Sequence, residues 1–204
     1  LASVAFADEV VVVDGGSRDR SCEIARAAGA RVIEAPDWQG FGGQKNRASG
    51  ACSGDWVLSI DADERVPPEL RAEIQTALDN SVFDVYEMPR SSYYCGRFMR
   101  HSGWWPDYVR RLFRRGTARF SPAPVHESLQ TDRNVGRLRT PLEHWSFRTM
   151  EDVLDKVNRY SSLSAPTVLQ RGRRPSIMTA ILHGVSAFIR TYFLRRGFLD
   201  GSHG

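Results

Sequence analysis

Cysteine, histidine and net charge are all in short supply in this chain, and each shortage closes a class of function. Three cysteines among 204 residues, Cys22, Cys52 and Cys95, make no C-x-x-C pair and no metal-ligand spacing. They read as buried thiols of a reducing compartment rather than a disulfide frame. The five histidines show no zinc pattern. A formal net charge of +4 is too mild to choose a partner by itself, and no nucleic-acid partner is expected. The glycine–lysine–hydroxyl spacing of a Walker loop is missing. No signal peptide is visible: the chain opens at Leu1 without a charged n-region or long apolar core, and reads as cut from a longer protein.

What is present is ordinary globular composition, 41% hydrophobic and 25% charged, enough for one domain and an appendage. The informative stretch is Asp55 to Glu64, D-W-V-L-S-I-D-A-D-E. Its apolar, partly β-branched first half suits a short buried strand. If the extended path continues, Asp61 and Asp63, flanking the small Ala62, project from one face. Strand C-terminal ends are where open α/β sheets bind ligands. Two close carboxylates repel unless a cation or proton sits between them, and a divalent metal bridging to a diphosphate would meet that need. A solvated acidic turn would account for the same three residues.

Upstream, Val10 to Val13 reads as a buried parallel strand. It ends at Asp14, where Gly15 and Gly16 permit a tight turn and Asp19 can cap a helix over about Arg20 to Ala28. In that helix Ile24, Ala25 and Ala28 share a face. A second strand over Ala30 to Glu34 completes a βαβ unit. Asp14 either accepts hydrogen bonds from a nucleoside or caps its own turn. An Asp14 and an Asp61 on two strands of one sheet favour the first. Glycines 40, 42 and 43 suggest a flexible loop ahead of a helix from about Gln44 to Ala51, with Lys45 facing a phosphate or solvent. Pro68 opens a helix to Leu78, and its stripe is Leu70, Ile74, Ala77 and Leu78. Phe83 to Pro89 reads as a strand, and Ser91 to Met99 as a hairpin or edge segment.

His101 to Pro106 is an aromatic loop whose Trp104 and Trp105 stack on a sugar face or pack over the core. Tyr108 to Arg115 alternates with four arginines, Arg111 among them. That pattern fits a solvated edge strand or a site for an anionic acceptor. Glu127 follows His126 in a short extended piece, and His144 and Trp145 lie in another strand. From about Thr149 the period becomes helical, with Met150, Val153, Leu154, Val157 and Tyr160 on one face and a kink expected at Pro166. Ser176 to Arg196 is apolar but interrupted by His183 and Arg190, too polar and short for a confident span. With basic clusters on either side it reads as an interfacial amphipathic helix or a core-packing one.

The ordered set D-G-G-S at 14–17, W-x-G-F-G-x-Q-K-N ending at Asn46, G-D-W-V-L-S-I-D-A-D-E at 54–64, W-P-D-Y-V-R-R-L-F-R-R and V-H-E at 125–127 resembles the family-2 inverting glycosyltransferases. Within that family it looks most like the lipopolysaccharide inner-core β-1,4-glucosyltransferases. The resemblance implies a GT-A fold: an α/β, Rossmann-like, mostly parallel sheet flanked by helices over residues 1–147. Its first strand would precede Leu1. Residues 148–204 would form a C-terminal helical, membrane-associating extension. It implies donor contacts from Asp14, Gly15, Lys45, Asp61, Ala62 and Asp63, a divalent cation (Mg²⁺ or Mn²⁺) on Asp63 and Asp61, and Glu127 as general base. The family often writes the base motif Glu-Asp, and here it is His-Glu. Trp104, Trp105, Arg111 and His126 are the candidate acceptor contacts. The expected partners are a UDP-sugar, with glucose the favoured sugar, an anionic glycolipid or saccharide acceptor, and the cytoplasmic face of the inner membrane, where the protein would be peripheral. A nucleotidyltransferase and a non-catalytic membrane-surface module are the competing readings.

Overall fold

The computed structural model describes residues 1–122, 127–158, 161 and 176–204. They divide into two compact units, 1–89 with 108–142 and 90–107 with 143–204. Strands β5 (Val85–Tyr94), β7 (Asp107–Arg114) and β11 (Leu142–Phe147) have residues in both.

The first unit begins with the expected βαβ unit. Strand β1 (Val11–Asp14) pairs in parallel with β2 (Arg31–Glu34) through α1 (Ser21–Ala27). Within α1, Ala25 is buried while Ile24 is exposed, so the inward face is narrower than the sequence suggests. The β1–β2 pair forms its own two-stranded sheet. Strand β3 (Trp56–Leu58) belongs to a seven-stranded one of order β3-β7-β5-β11-β4, with β4 at Glu64–Arg65 and β10 (Val135–Arg137) and β6 (Arg97–Phe98) paired to β5. Asp14 and Asp61 therefore do not follow strands of one sheet, as the sequence reading expects. The large sheet is mixed: β10 runs parallel to β5, and β3 antiparallel to β7.

Strand β7 is not a solvated edge. It lies between β3 and β5, and Arg111, Leu112 and Phe113 are buried in succession. Leu112 packs with Leu70 and Ile74 of α3 (Pro68–Asp79) and with Met88 and Leu142. Phe113 packs on the opposite side with Val57, Val85, Phe120 and Leu129. Alternation along a strand thus feeds two cores, one per face. The glycines mislead at α2, which spans Gly40–Ala51 and so takes in the three read as a loop. A Cβ at Gly42 would lie 2.0 Å from the Ser121 carbonyl oxygen. That glycine serves close backbone approach rather than flexibility.

In the second unit, β5 turns at Cys95 and Gly96, both with positive φ, into β6. Residues 150–158 are helical (α4), and Met150, Leu154 and Val157 on it are exposed. Tyr160 and Pro166 lie outside the described residues. Helix α5 (Ile177–Phe188) starts at a Ser176–Thr179 capping box, continues as a π-helix over Ile189–Leu194, and is followed by a 3-10 segment at Gly197–His203. Asp200, 1% exposed, ties that segment to the 97–101 stretch. It accepts hydrogen bonds from the backbone N–H groups of Arg100 (3.1 Å) and His101 (2.7 Å), and its carboxylate meets His101 Nδ1 at 3.1 Å. The three cysteines are free and half-buried.

Candidate active site

Three consecutive residues of α2 each fasten a different part of the first unit. Gln44 donates from Nε2 to the Ala35 carbonyl, just past β2. Asn46 clamps Phe120 at two points, donating to its carbonyl at 2.9 Å and accepting from its N–H at 2.8 Å. Between them Lys45 places its ammonium 2.7 Å from Asp61 Oδ1 and 2.7 Å from Glu127 Oε1. Phe120 belongs to β8 (Arg119–Phe120), paired antiparallel with β9 (Leu129–Gln130). Ser121 and Ser128 are hydrogen-bonded at the same end, Ser121 N–H to the Ser128 carbonyl and Ser128 N–H to Ser121 Oγ. The hairpin that α2 clamps is therefore the one that carries Glu127.

On the other side of Asp61 stands Arg111. Its Nη2 lies 2.5 Å from Asp61 Oδ2 and 2.6 Å from Glu64 Oε1. Glu64 in turn accepts from the Asp61 N–H through Oε2 at 2.8 Å. The result is a chain of alternating charge, Glu127–Lys45–Asp61–Arg111–Glu64, entering the protein from a half-buried end to a fully buried one. Burial pushes the Asp61 carboxyl up, but Arg111 and Lys45 outweigh it and hold it below the ordinary carboxylate value. Burial likewise pulls the Arg111 guanidinium down, and Glu64 and Asp61 reverse that.

Two expectations need correction. Asp61, Ala62 and Asp63 are not an extended continuation of β3. That strand ends at Leu58, residues 62–63 are a turn, and the Glu64 N–H donates to the Asp61 carbonyl at 2.9 Å. Asp63 follows Asp61 within a tight turn, so strand alternation does not set which way its carboxylate faces. Arg111, 5% exposed, is the buried support of the acidic turn and offers no surface to an acceptor. Glu64 and Asn46 went unnoticed in sequence reading. An acid one residue past D-x-D and an amide beside the lysine were the available signals.

Asp14 caps its own turn: Oδ2 accepts the N–H groups of Gly16 and Ser17, both at 2.9 Å. The Ser17 bonds dominate in holding its carboxyl below the ordinary value. The half-exposed Trp38 ring lies against Gly15, where a Cβ would meet it at 3.4 Å, and makes an edge-to-face pair with Phe41. Trp104 and Trp105 belong to the second unit, and His126 lies outside the described residues. Among the described residues no group of three or more His, Cys, Asp or Glu side chains converges to hold a metal. Lys45 and Arg111 already hold the two Asp61 oxygens, so a divalent cation on the D-x-D turn would have to displace one of them and take further oxygen ligands from a bound diphosphate.

The family model of glycosyl transferase family 2 matches residues 3–145. The chain is 35% identical over 200 residues to the lipopolysaccharide core biosynthesis glycosyltransferase LpsC of Rhizobium meliloti, covering 91% of this chain and 71% of that protein. It is 32% identical over 209 residues to a glycosyltransferase of Rickettsia prowazekii, RP128, covering 97% and 71%. Among solved structures, Staphylococcus aureus TarS 1-349 superposes with a TM-score of 0.53 at 18% identity over 76% of this chain and 57% of that one. Its complex with UDP gives 0.52 at the same identity and coverage. The chain spans little more than half the length of those TarS chains. The fold is the Rossmann-like GT-A type, and the chain belongs to glycosyl transferase family 2.

Proposed function

We propose that the protein moves a sugar, with glucose favoured, from UDP to an anionic glycolipid or saccharide of the lipopolysaccharide core, with inversion at the anomeric carbon. The carrying observation is that one ammonium, that of Lys45, reaches carboxylates on two separate elements, Asp61 of the D-x-D turn and Glu127 of the hairpin. A single displacement needs a base distinct from the groups that meet the leaving group, because proton removal and leaving-group charge fall on opposite sides of the sugar, and Glu127 and Asp61 come from different elements. Glu127 takes the proton of the acceptor hydroxyl as its oxygen bonds to the anomeric carbon, and the bond to the diphosphate breaks. Lys45 is within reach of both sites and offers its charge to the diphosphate once a donor binds. Asp63 and Asp61 would hold a divalent cation, which supplies further positive charge against the departing UDP. Arg111 keeps Asp61 oriented. By the family resemblance Asp14, even with its Oδ2 capping its own turn, and Gly15 stand as the nucleoside contacts, beside the Trp38 ring. The donor assignment draws support from the UDP complex of TarS, and the acceptor class from the printed role of LpsC.

The C-terminal residues 148–204 are read as the membrane-associating part. Residues Ile177–Leu194 form one helix apolar and long enough to cross a membrane, with a mean hydropathy of 1.4 and none of it buried. Its apolar side chains at 177, 178, 181, 182, 185, 188 and 189 recur at helical spacing, and Thr179, His183, Ser186 and Arg190 fall opposite. That division favours a helix lying in the cytoplasmic membrane face over one crossing it. Calorimetry of UDP binding with and without Mn²⁺ tests the donor site. Asp63→Ala should abolish the metal-dependent part, and unchanged metal dependence would refute the cation assignment.

A further inference from the structure

The second unit holds a cavity of about 430 Å³ that the transfer site described above does not use. Trp104 lines it, with Tyr94 and Phe147 rings against that indole at 5.7 and 6.2 Å. Three cations, Arg90, Lys156 and Arg195, face a single carboxylate, Asp107. Asp107 already accepts both Nε and Nη2 of Arg90, at 2.9 and 2.6 Å. Among the described residues neither Lys156 nor Arg195 has a carboxylate partner in this wall, and the Lys156 ammonium lies over the Phe147 ring, 4.7 Å from its centre. A Ser92–His144 pair, 3.0 Å apart, adds hydrogen-bonding polarity.

The loop at the cavity is built around Arg195. Ser102 and Gly103 are both left-handed, with φ of 58° and 84°. A Cβ at Gly103 would sit 2.3 Å from Arg195 Nη1, and the Ser102 N–H donates to the Arg195 carbonyl. A serine held at positive φ is a strained residue that its surroundings must maintain. Its hydroxyl, on a residue 8% exposed, has no hydrogen-bond partner among the described residues. Arg195 also directly follows the apolar helix that ends at Leu194. A helix lying in the membrane face would set this wall at headgroup level.

We propose that this cavity binds the acceptor through a negatively charged sugar, its ring against Trp104 and its carboxylate or phosphate on Arg195 and Lys156. Aromatic faces take the apolar side of a sugar ring, and guanidinium and ammonium groups reward an anion with charge-assisted hydrogen bonds. The inference deepens the transferase reading by assigning its acceptor class to named residues, and rests on that reading only for the word acceptor. The test is quenching of tryptophan fluorescence in the whole chain by methyl glucuronide, methyl glucoside 6-phosphate, neutral methyl glucoside and inorganic phosphate. UDP affinity is measured in parallel. Both charged glycosides should bind at least tenfold more tightly than the neutral one, as one charge-assisted hydrogen bond allows. Trp104→Phe should remove the signal. Arg195→Gln and Lys156→Gln should each erase the preference for charge while UDP affinity stays as in the wild type. Equal binding of charged and neutral glycosides would overturn the proposal, as would charge preference surviving both substitutions. Inorganic phosphate binding as tightly as the glycoside phosphate would mean a bare anion site and overturn it too. Failure of the wild type to bind UDP would instead strike the donor reading, leaving the cavity result intact.

Discussion

Lys45 holds two carboxylates 2.7 Å from one nitrogen, and it can serve a diphosphate only by loosening its grip on them. Lys45→Met should therefore weaken UDP binding by roughly tenfold or more, the scale of a lost hydrogen bond to a charged group. Calorimetry checks it. Arg111 carries a different burden. Arg111→Met breaks the buried ion pair with Glu64, and stability should fall by about 3–5 kcal/mol in urea unfolding, the cost of breaking such a pair. The Asp61 carboxyl is held below its ordinary 3.8. Its ionisation thus contributes stability that is present above that value and lost as pH falls through the folded one. Acid unfolding should be less steep in Asp61→Asn than in the wild type. At this scale the sequence disclosed the residue types and their order, since Lys45, Asp61 and Glu127 do converge. It could not disclose Arg111. A buried arginine under an acidic turn and a surface arginine on an edge strand look alike until strand order is known.

Helix α2 shows why element boundaries were harder to read than element identity. Glycines argue for a loop in isolation, yet here Gly42 opens the space in which the helix meets Ser121. Gly42→Ala should destabilise by about 1–3 kcal/mol, as overpacking does, and lower transfer by shifting Lys45. Gly50→Ala in the same helix, with nothing within 4 Å of the new methyl, should stabilise by up to about 1 kcal/mol. Thermal unfolding of the pair separates packing from propensity. The βαβ unit and α3 were legible because β-branched runs and a proline-led apolar stripe specify them locally. The central place of β7 was not, because strand order is a long-range property that side-chain alternation does not encode. For Ile177–Leu194 the measurement is vesicle flotation. Binding should require anionic lipid and weaken with salt, and release by detergent alone would indicate a crossing helix.

Across the whole chain, the first unit carries the residues proposed for the donor and the proton, and the second unit carries the basic, aromatic cavity and the apolar helix. The order of short motifs along the sequence pointed to the family because five separated strings had to agree, whereas no single D-x-D could. The central claim is that the Lys45-bridged carboxylates are the reacting centre and that Glu127 removes the acceptor proton. Its most direct test is single-turnover sugar transfer from a UDP-sugar by Glu127→Gln beside His126→Ala, with UDP-sugar affinity measured for both. Glu127→Gln should lose about 10²–10⁴-fold in rate, the usual contribution of a general base, while binding donor as the wild type does and while His126→Ala loses far less. An active Glu127→Gln with an inactive His126→Ala would contradict the account and make the histidine the base.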